Sequence, residues 1–214
     1  MPKEEIKDLI HAYQVKKKYY RLKNGSFINL EEGNIEKISK ILASLNVGSK
    51  NIEDNKLYLS KSHAVYLEKV FEEKSLKLNK DRNFSHLTER ILNPSVTDYK
   101  VPDGIQAKLR PYQVTGYKWL RTLAEHELGG ILADDMGLGK TLQSIVFMAS
   151  VIAENKNAGQ KPHCLIVCPT SLTYNWLDEL ENFAPFIKAV VVSGSPQERK
   201  EIIENHEKYD GLIT

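Results

Sequence analysis

Three short apolar runs, HCLIVC, IKAVVVS and DGLIT, recur between helical stretches near the end of this chain, and no other feature limits its fold as much. Near-continuous apolar strands belong in sheets covered on both faces, which are almost always parallel sheets with helical crossovers. The intervening segments TSLTYNWLDELENF and SPQERKEIIENHEK carry helical patterns. Upstream, Pro111 can open a helix, because a first-turn residue needs no intrahelical N–H bond, and that helix runs to about Ala124. GGILA reads as a short buried strand, and GKTLQSIVFMASVIAE as the helix after a glycine loop. The expectation for residues 99–214 is α/β: a parallel sheet with helices on both faces and right-handed crossovers.

The segment NPSVTDYKVPDG, residues 93–104, holds two prolines, a glycine and turn-forming polar side chains, and reads as a boundary. Residues 1–98 before it form a small α+β module. YYRLKNGSFINL reads as a hairpin turning at Asn24-Gly25, a pair favoured in two-residue turns. Ile35, Ile38, Ile41, Leu42 and Leu45 fall at helical spacing, and KLYLS is a short strand. SHAVYLEKVFEE is an amphipathic helix with Ser62 as candidate N-cap, and another helix runs through FSHLTERIL.

Composition excludes more than it selects. A hydrophobic share of 41% with 27% charged residues is that of ordinary globular protein. No run of eighteen apolar residues exists, and MPKEEIKDLI lacks the apolar core of a secretory signal. Cys164 and Cys168, without ligand-spaced histidines, read as buried thiols in a reducing compartment. Residues 1–98 carry 18 basic and 14 acidic side chains, the remainder 12 and 14, an asymmetry that permits a polyanionic partner without requiring one. The run KKK at 16–18, beside Tyr19, Tyr20 and Arg21, has the composition of a phosphate contact but reads first as a solvated face.

The chemistry concentrates in ILADDMGLGKTLQ, residues 131–143. A polyphosphate needs converging backbone N–H donors and a helix N-terminus, and glycines let the backbone approach it closely. Gly137 and Gly139 supply that freedom, Lys140 would reach the β and γ phosphates, and the Thr141 hydroxyl would sit on magnesium. The general pattern asks for glycine at 134, where this chain has Asp134 followed by Asp135. The bland alternative is an incidental glycine turn with a solvated lysine. In the empty site, Asp134 or Asp135 is expected to pair with Lys140 or with the loop backbone and so hold the loop in shape.

LRPYQVTGYKWL at 109–120, ADDMGLGKT, and VCPTSLTYNWLDEL at 167–180 together resemble the SWI/SNF-type ATPases of helicase superfamily two. The resemblance implies a first RecA-like lobe over residues 99–214, with ATP and Mg2+ as cofactors and double-stranded DNA as partner. It places the nucleotide on Arg110, Gln113, Asp135, Met136, Gly137, Leu138, Gly139, Lys140 and Thr141. Lys140 and Thr141 are the candidate catalytic residues, Thr141 at the metal. Gln113 would read the adenine edge through its amide. Thr170 and Ser171 match a segment that contacts the DNA backbone, although Ser171 equally suits a helix cap. Trp119 and Trp176 read as packing residues rather than base-stacking platforms. Residues 1–98 look like the accessory region that precedes the motor in bacterial members, which implies a cytoplasmic, nucleoid-associated protein and a protein partner docked on that region.

In that family, hydrolysis also requires a downstream acidic motif for magnesium and water, and arginines from a second lobe. Neither occurs within these 214 residues. The expectation is therefore an N-terminal fragment of a DNA translocase, with weak or absent hydrolysis and at best weak nucleotide binding of its own. Two alternatives stay open: a different P-loop NTPase such as a nucleotide kinase, and a non-enzymatic binding or regulatory module.

Overall fold

The computed structural model describes residues 8, 11–13, 15–31, 33–45, 52–53, 56–77, 79–161 and 163–214. They divide into two compact units, Met1–Leu92 and Asn93–Thr214.

The first unit opens with an antiparallel hairpin of β1 (Tyr19–Arg21) and β2 (Phe27–Asn29). Its inner face sets Tyr20 and Ile28 against buried Ala12 and Leu30. Helix α1 (Gly33–Ser44) buries Ile41, while Ile38 stays 41% exposed. The side chains of Ile35 and Leu42 lie outside the described residues. A two-residue ladder joins β3 (Ile52–Glu53) to β4 (Lys56–Leu57). Helices α2 (Ala64–Glu73) and α3 (Arg82–Leu92) pack together, and Glu68 of α2 forms an ion pair with Lys80, just before α3 begins. The Asp81 carboxylate starts α3 by accepting from the Phe84 N–H at 2.7 Å.

Two local readings change here. Ser62 does not cap α2. The hydroxyl of Ser60 caps a short 3-10 turn over Lys61–His63, and that turn leads directly into the helix. The hairpin closes by a three-residue loop rather than a two-residue turn: Gly25 N–H donates to Leu22 O, Leu22 N–H to Ser26 O, and Gly25 has φ +89°. The Asn24 side chain braces this loop by accepting from Ser26 N–H at 3.0 Å. The physical reason is register. A two-residue turn at Asn24-Gly25 would set Tyr20 opposite Asn29, whereas the longer loop pairs Tyr20 with Ile28 and turns both inward.

The second unit is a parallel sheet flanked by helices. Its strands are β5 (Cys164–Ile166), β6 (Ala189–Val191) and β7 (Gly211–Ile213), in the order β5-β7-β6. Helix α4 (Pro111–Glu125) packs on α5 (Lys140–Asn157), and α6 (Thr173–Phe183) packs on α5 and β6. Helix α7 (Pro196–Glu204) connects β6 to β7. The core joins Ile145, Ala149 and Ile152, spaced to share one face of α5, with Ile166, Leu180, Ala184, Val191 and Ile213. Trp176 packs against this core with Cys164 and Cys168, both free thiols. Burial pushes the Cys164 thiol above its ordinary pKa, and the Asp210 carboxylate adds to the shift.

GGILA is not a strand. Residues 129–133 carry no regular secondary structure and join no ladder among the described residues, and Ile131 is 85% exposed. An apolar pattern specifies a strand only when a neighbouring strand satisfies its N–H and C=O groups. β5 departs from expectation in a related way. It lies at the edge of the sheet, and Leu165 and Val167 are 66% and 74% exposed although the run predicts cover on both faces. No helix among the described residues is long and apolar enough to cross a membrane.

Candidate nucleotide site

The loop between Asp134 and Lys140 is held from three sides. Gly137 and Gly139 have φ +81° and +74°, a left-handed backbone that side chains rarely adopt, and Gly139 is the N-cap of α5. A side chain at 139 is excluded twice, since its Cβ would also lie 2.5 Å from Gln113 Nε2. The carbonyl of Leu138 accepts from that Nε2 at 3.1 Å and from the Tyr112 hydroxyl at 3.0 Å. Helix α4 thereby fixes the loop just before α5 begins. Because α5 is 18 residues long, its N-terminus presents unpaired N–H groups and a partial positive charge to whatever fills the cleft.

Lys140 is the first residue of α5, and its Nζ donates to the backbone carbonyls of Asp134 at 2.8 Å and Asp135 at 2.9 Å. The expected pairing with the acids is thus made through their carbonyls and not their carboxylates. The Asp134 carboxylate is engaged elsewhere: its Oδ2 accepts from Gln143 Nε2 at 2.9 Å. Gln143 is fully buried, and its Oε1 has no hydrogen-bond partner among the described residues. That oxygen lies where a Cβ on Gly116 would stand, only 2.0 Å away. Gly116 in α4 is therefore the residue that leaves room for Gln143 to hold Asp134.

The described cleft beside the loop has a volume of about 470 Å³ and is lined by Gly137, Gly139, Lys140 and Thr141, with Glu179, Asn182 and Phe183 of α6 opposite. That is the size of a small-molecule site. Met136 and Asp135 are exposed at the loop tip, Leu138 is half-buried, and Arg110 is exposed at the N-terminal end of α4. Gln113 is buried, and its Oε1 accepts from the Arg110 N–H at 2.9 Å. With Nε2 on Leu138, its amide retains one N–H and one lone pair, the complement of an adenine N7/N6 edge.

Thr170 and Ser171 do not line this cleft. Both are exposed in a 3-10 turn, Thr170–Leu172, beyond the C-terminal end of β5. The N-cap of α6 is Leu172, without a side-chain cap bond, so Ser171 does not serve as that cap. The order at this end is kept by Thr173, whose hydroxyl donates to Thr170 O at 2.9 Å. Trp119 lies in a packing position, pressed with Leu123 against Gly130. Sequence reasoning missed Gly116, Gln143, Glu179 and Asn182. For the last two a signal existed, because 179, 182 and 183 share one face of a helix.

Residues 112–214 match the family described as SNF2-related domain, and residues 1–102 match the family described as Bacterial SNF2 helicase associated. Among curated proteins, the chain is 43% identical over 143 residues to a TATA-binding protein-associated factor mot1 from Aspergillus fumigatus, covering 63% of this chain. It is 47% identical over 118 residues to Helicase SWR1 from Saccharomyces cerevisiae, covering 55% of this chain. The matches span 8% of each of those proteins. A solved Sulfolobus solfataricus SWI2/SNF2 ATPase core in complex with dsDNA matches 54% of this chain and 23% of its own, at 36% identity and TM-score 0.45.

Proposed function

From an SNF2-related domain at 112–214 preceded by an SNF2-associated region, we propose that this chain is part of an ATP-driven translocase on double-stranded DNA. Residues 1–98 are its accessory module, suited to a protein partner, and 99–214 belong to its first RecA-like lobe. The observation that carries the reading is the loop itself: two left-handed glycines lead into an 18-residue helix whose first residue is a lysine anchored on two carbonyls.

The residues fit a magnesium–nucleoside triphosphate. Loop and helix N–H groups would bind the phosphate tail, and Lys140, with only two of its three Nζ donors on carbonyls, would supply positive charge to the β and γ oxygens. The Thr141 hydroxyl, next along the helix, would hold the metal, which when bound would supply positive charge beside the phosphates. Gln113 orients the adenine with its remaining N–H and lone pair, and Arg110 flanks the base. Asp135, Met136 and Leu138 shape the loop around the tail. Thr170 and Ser171, exposed in one turn, offer hydroxyls to the DNA backbone and read no sequence. Turnover by these 214 residues alone is weak or absent, since charge stabilisation in this chemistry needs groups on both sides of the phosphate and the cleft lining offers basic charge only from Lys140.

The test is titration of the 214-residue protein with a fluorescent ATP analogue and magnesium. Binding is expected for the wild type and lost in Lys140→Ala, and Gln113→Ala is expected to erase the preference for adenine over guanine. Wild-type affinity retained in Lys140→Ala would overturn the assignment.

A further inference from the structure

The outer face of the β1–β2 hairpin combines charge and aromatic surface that the nucleotide site does not use. Residues 9–30 contain five basic side chains and no acidic one. The three-residue loop sets Tyr20 and Ile28 inward, and so turns Tyr19, Arg21 and Phe27 outward together. Tyr19 is 54% and Phe27 68% exposed, although the small hairpin core has every use for apolar side chains. Each ring carries a cation: the Lys18 ammonium lies 5.8 Å from the Tyr19 ring centre, and the Arg21 guanidinium 5.9 Å from that of Phe27. In the observed register, Tyr19 pairs with Asn29 and Phe27 with Arg21, which makes the two aromatics diagonal neighbours roughly 7–8 Å apart.

We propose that this hairpin face binds single-stranded DNA, with Lys17, Lys18 and Arg21 on the phosphates and Tyr19 and Phe27 stacked on unpaired bases. The aromatics select single strands. In a duplex both faces of each base are covered by neighbours, whereas an unpaired base offers a π-face to a ring. The cations alone would serve any polyanion. The charge complementarity is local: no carboxylate lies between Leu9 and Leu30 in sequence, and the exposed Glu31 carboxylate, 3.9 Å from the Lys18 ammonium, is a loose partner that a phosphate would displace. The choice of DNA rests on the translocase reading above, while the surface itself is independent of the nucleotide loop.

The experiment is fluorescence anisotropy of the full 214-residue chain with a labelled oligothymidylate of about 20 nucleotides, without ATP. Phe27→Ala and Tyr19→Ala are each expected to weaken binding about tenfold, while Phe27→Tyr, which keeps a ring, restores it. Lys18→Ala should lower the slope of log affinity against log salt by about 0.7, the loss of one phosphate contact on a single strand. Both aromatic positions are exposed, so unchanged circular dichroism is expected and separates binding from folding. The proposal is overturned if the wild type does not bind, if both alanine variants bind as well as the wild type, or if the matching duplex binds as tightly as the single strand. Preference for oligouridylate, or for anionic lipid vesicles over both nucleic acids, overturns it equally. ATP-analogue binding measured on the same proteins keeps the two readings apart: its failure would remove the nucleotide site and leave the hairpin result standing, and the reverse also holds.

Discussion

Gly116→Ala is a substitution that local rules and tertiary packing judge with opposite signs. Position 116 lies within α4, and an alanine there should stabilise the helix by about 0.5–1 kcal/mol through reduced backbone entropy. The new Cβ would stand 2.0 Å from Gln143 Oε1 and 3.2 Å from its Cδ, with Leu132 Cδ1 at 3.8 Å behind. Gln143 is completely buried and cannot swing into solvent. Its retreat strains the packing by about 1–3 kcal/mol and weakens the 2.9 Å bond to the Asp134 carboxylate, a charged hydrogen bond of about 1.5–3 kcal/mol. After the helix gain is subtracted, the net expectation is a loss of about 1.5–5.5 kcal/mol if the bond is lost. Urea unfolding followed by tryptophan fluorescence is the assay, because both tryptophans, Trp119 and Trp176, lie in the second unit. In a Gln143→Ala background the same change should turn favourable by up to about 1 kcal/mol, since the opposing oxygen is gone. A single Gly116→Ala variant as stable as the wild type would refute the lock between these residues.

The other predictions concern the frame around the site. Tyr117→Phe removes a fully buried phenol that donates to Lys100 O at 2.8 Å, and should cost about 1 kcal/mol in the same assay. An unchanged midpoint would mean that this bond does not hold the boundary segment to α4. Glu198 has its carboxyl held below the ordinary range by the Ser195 backbone N–H and then by the Ser195 hydroxyl. A depressed folded-state pKa adds stability that is complete above the unfolded value and is lost as pH falls through the folded one. The gap in urea midpoint between wild type and Glu198→Gln should therefore be widest near neutrality and close on acidification, and a gap that widens in acid contradicts the assignment.

What the sequence made legible was local chemistry with a fixed consequence. Gly137 and Gly139 predict a loop because the observed φ values need residues without a Cβ. Pro111 predicts a helix start because its missing N–H has no intrahelical partner there. Periodicity placed α4, α5, α6 and α7 close to where they lie, although the first turns of TSL and the last of HEK tighten into 3-10 geometry. What escaped depends on partners distant in sequence. GGILA has the composition of a strand, yet ladder formation is decided by a neighbour that the local pattern does not contain. Asn24-Gly25 marked the turn correctly but not its length, because the decision lay in whether Tyr20 should face Ile28 or Asn29. Gly116 and Gln143 are 27 positions apart, and each looks unremarked in its own helix until the fold brings them into contact.

The two acids that open the loop take different parts for the same reason. An ammonium beside a carboxylate forms a strong pair, but one that a phosphate must break before it can use the lysine. Carbonyls are weaker partners, and they take only two of the three Nζ donors. Lys140 is thereby aimed without its charge being neutralised. For this to hold, the nearby Asp134 carboxylate must be kept away from the ammonium, and Gln143 does so by offering it a buried amide donor from the next turn of α5. The cost is an orphaned Oε1, tolerated because Gly116 leaves the space for it. Asp134, Gln143 and Gly116 form one device, whose effect is to leave the positive charge of Lys140 available at the mouth of the cleft.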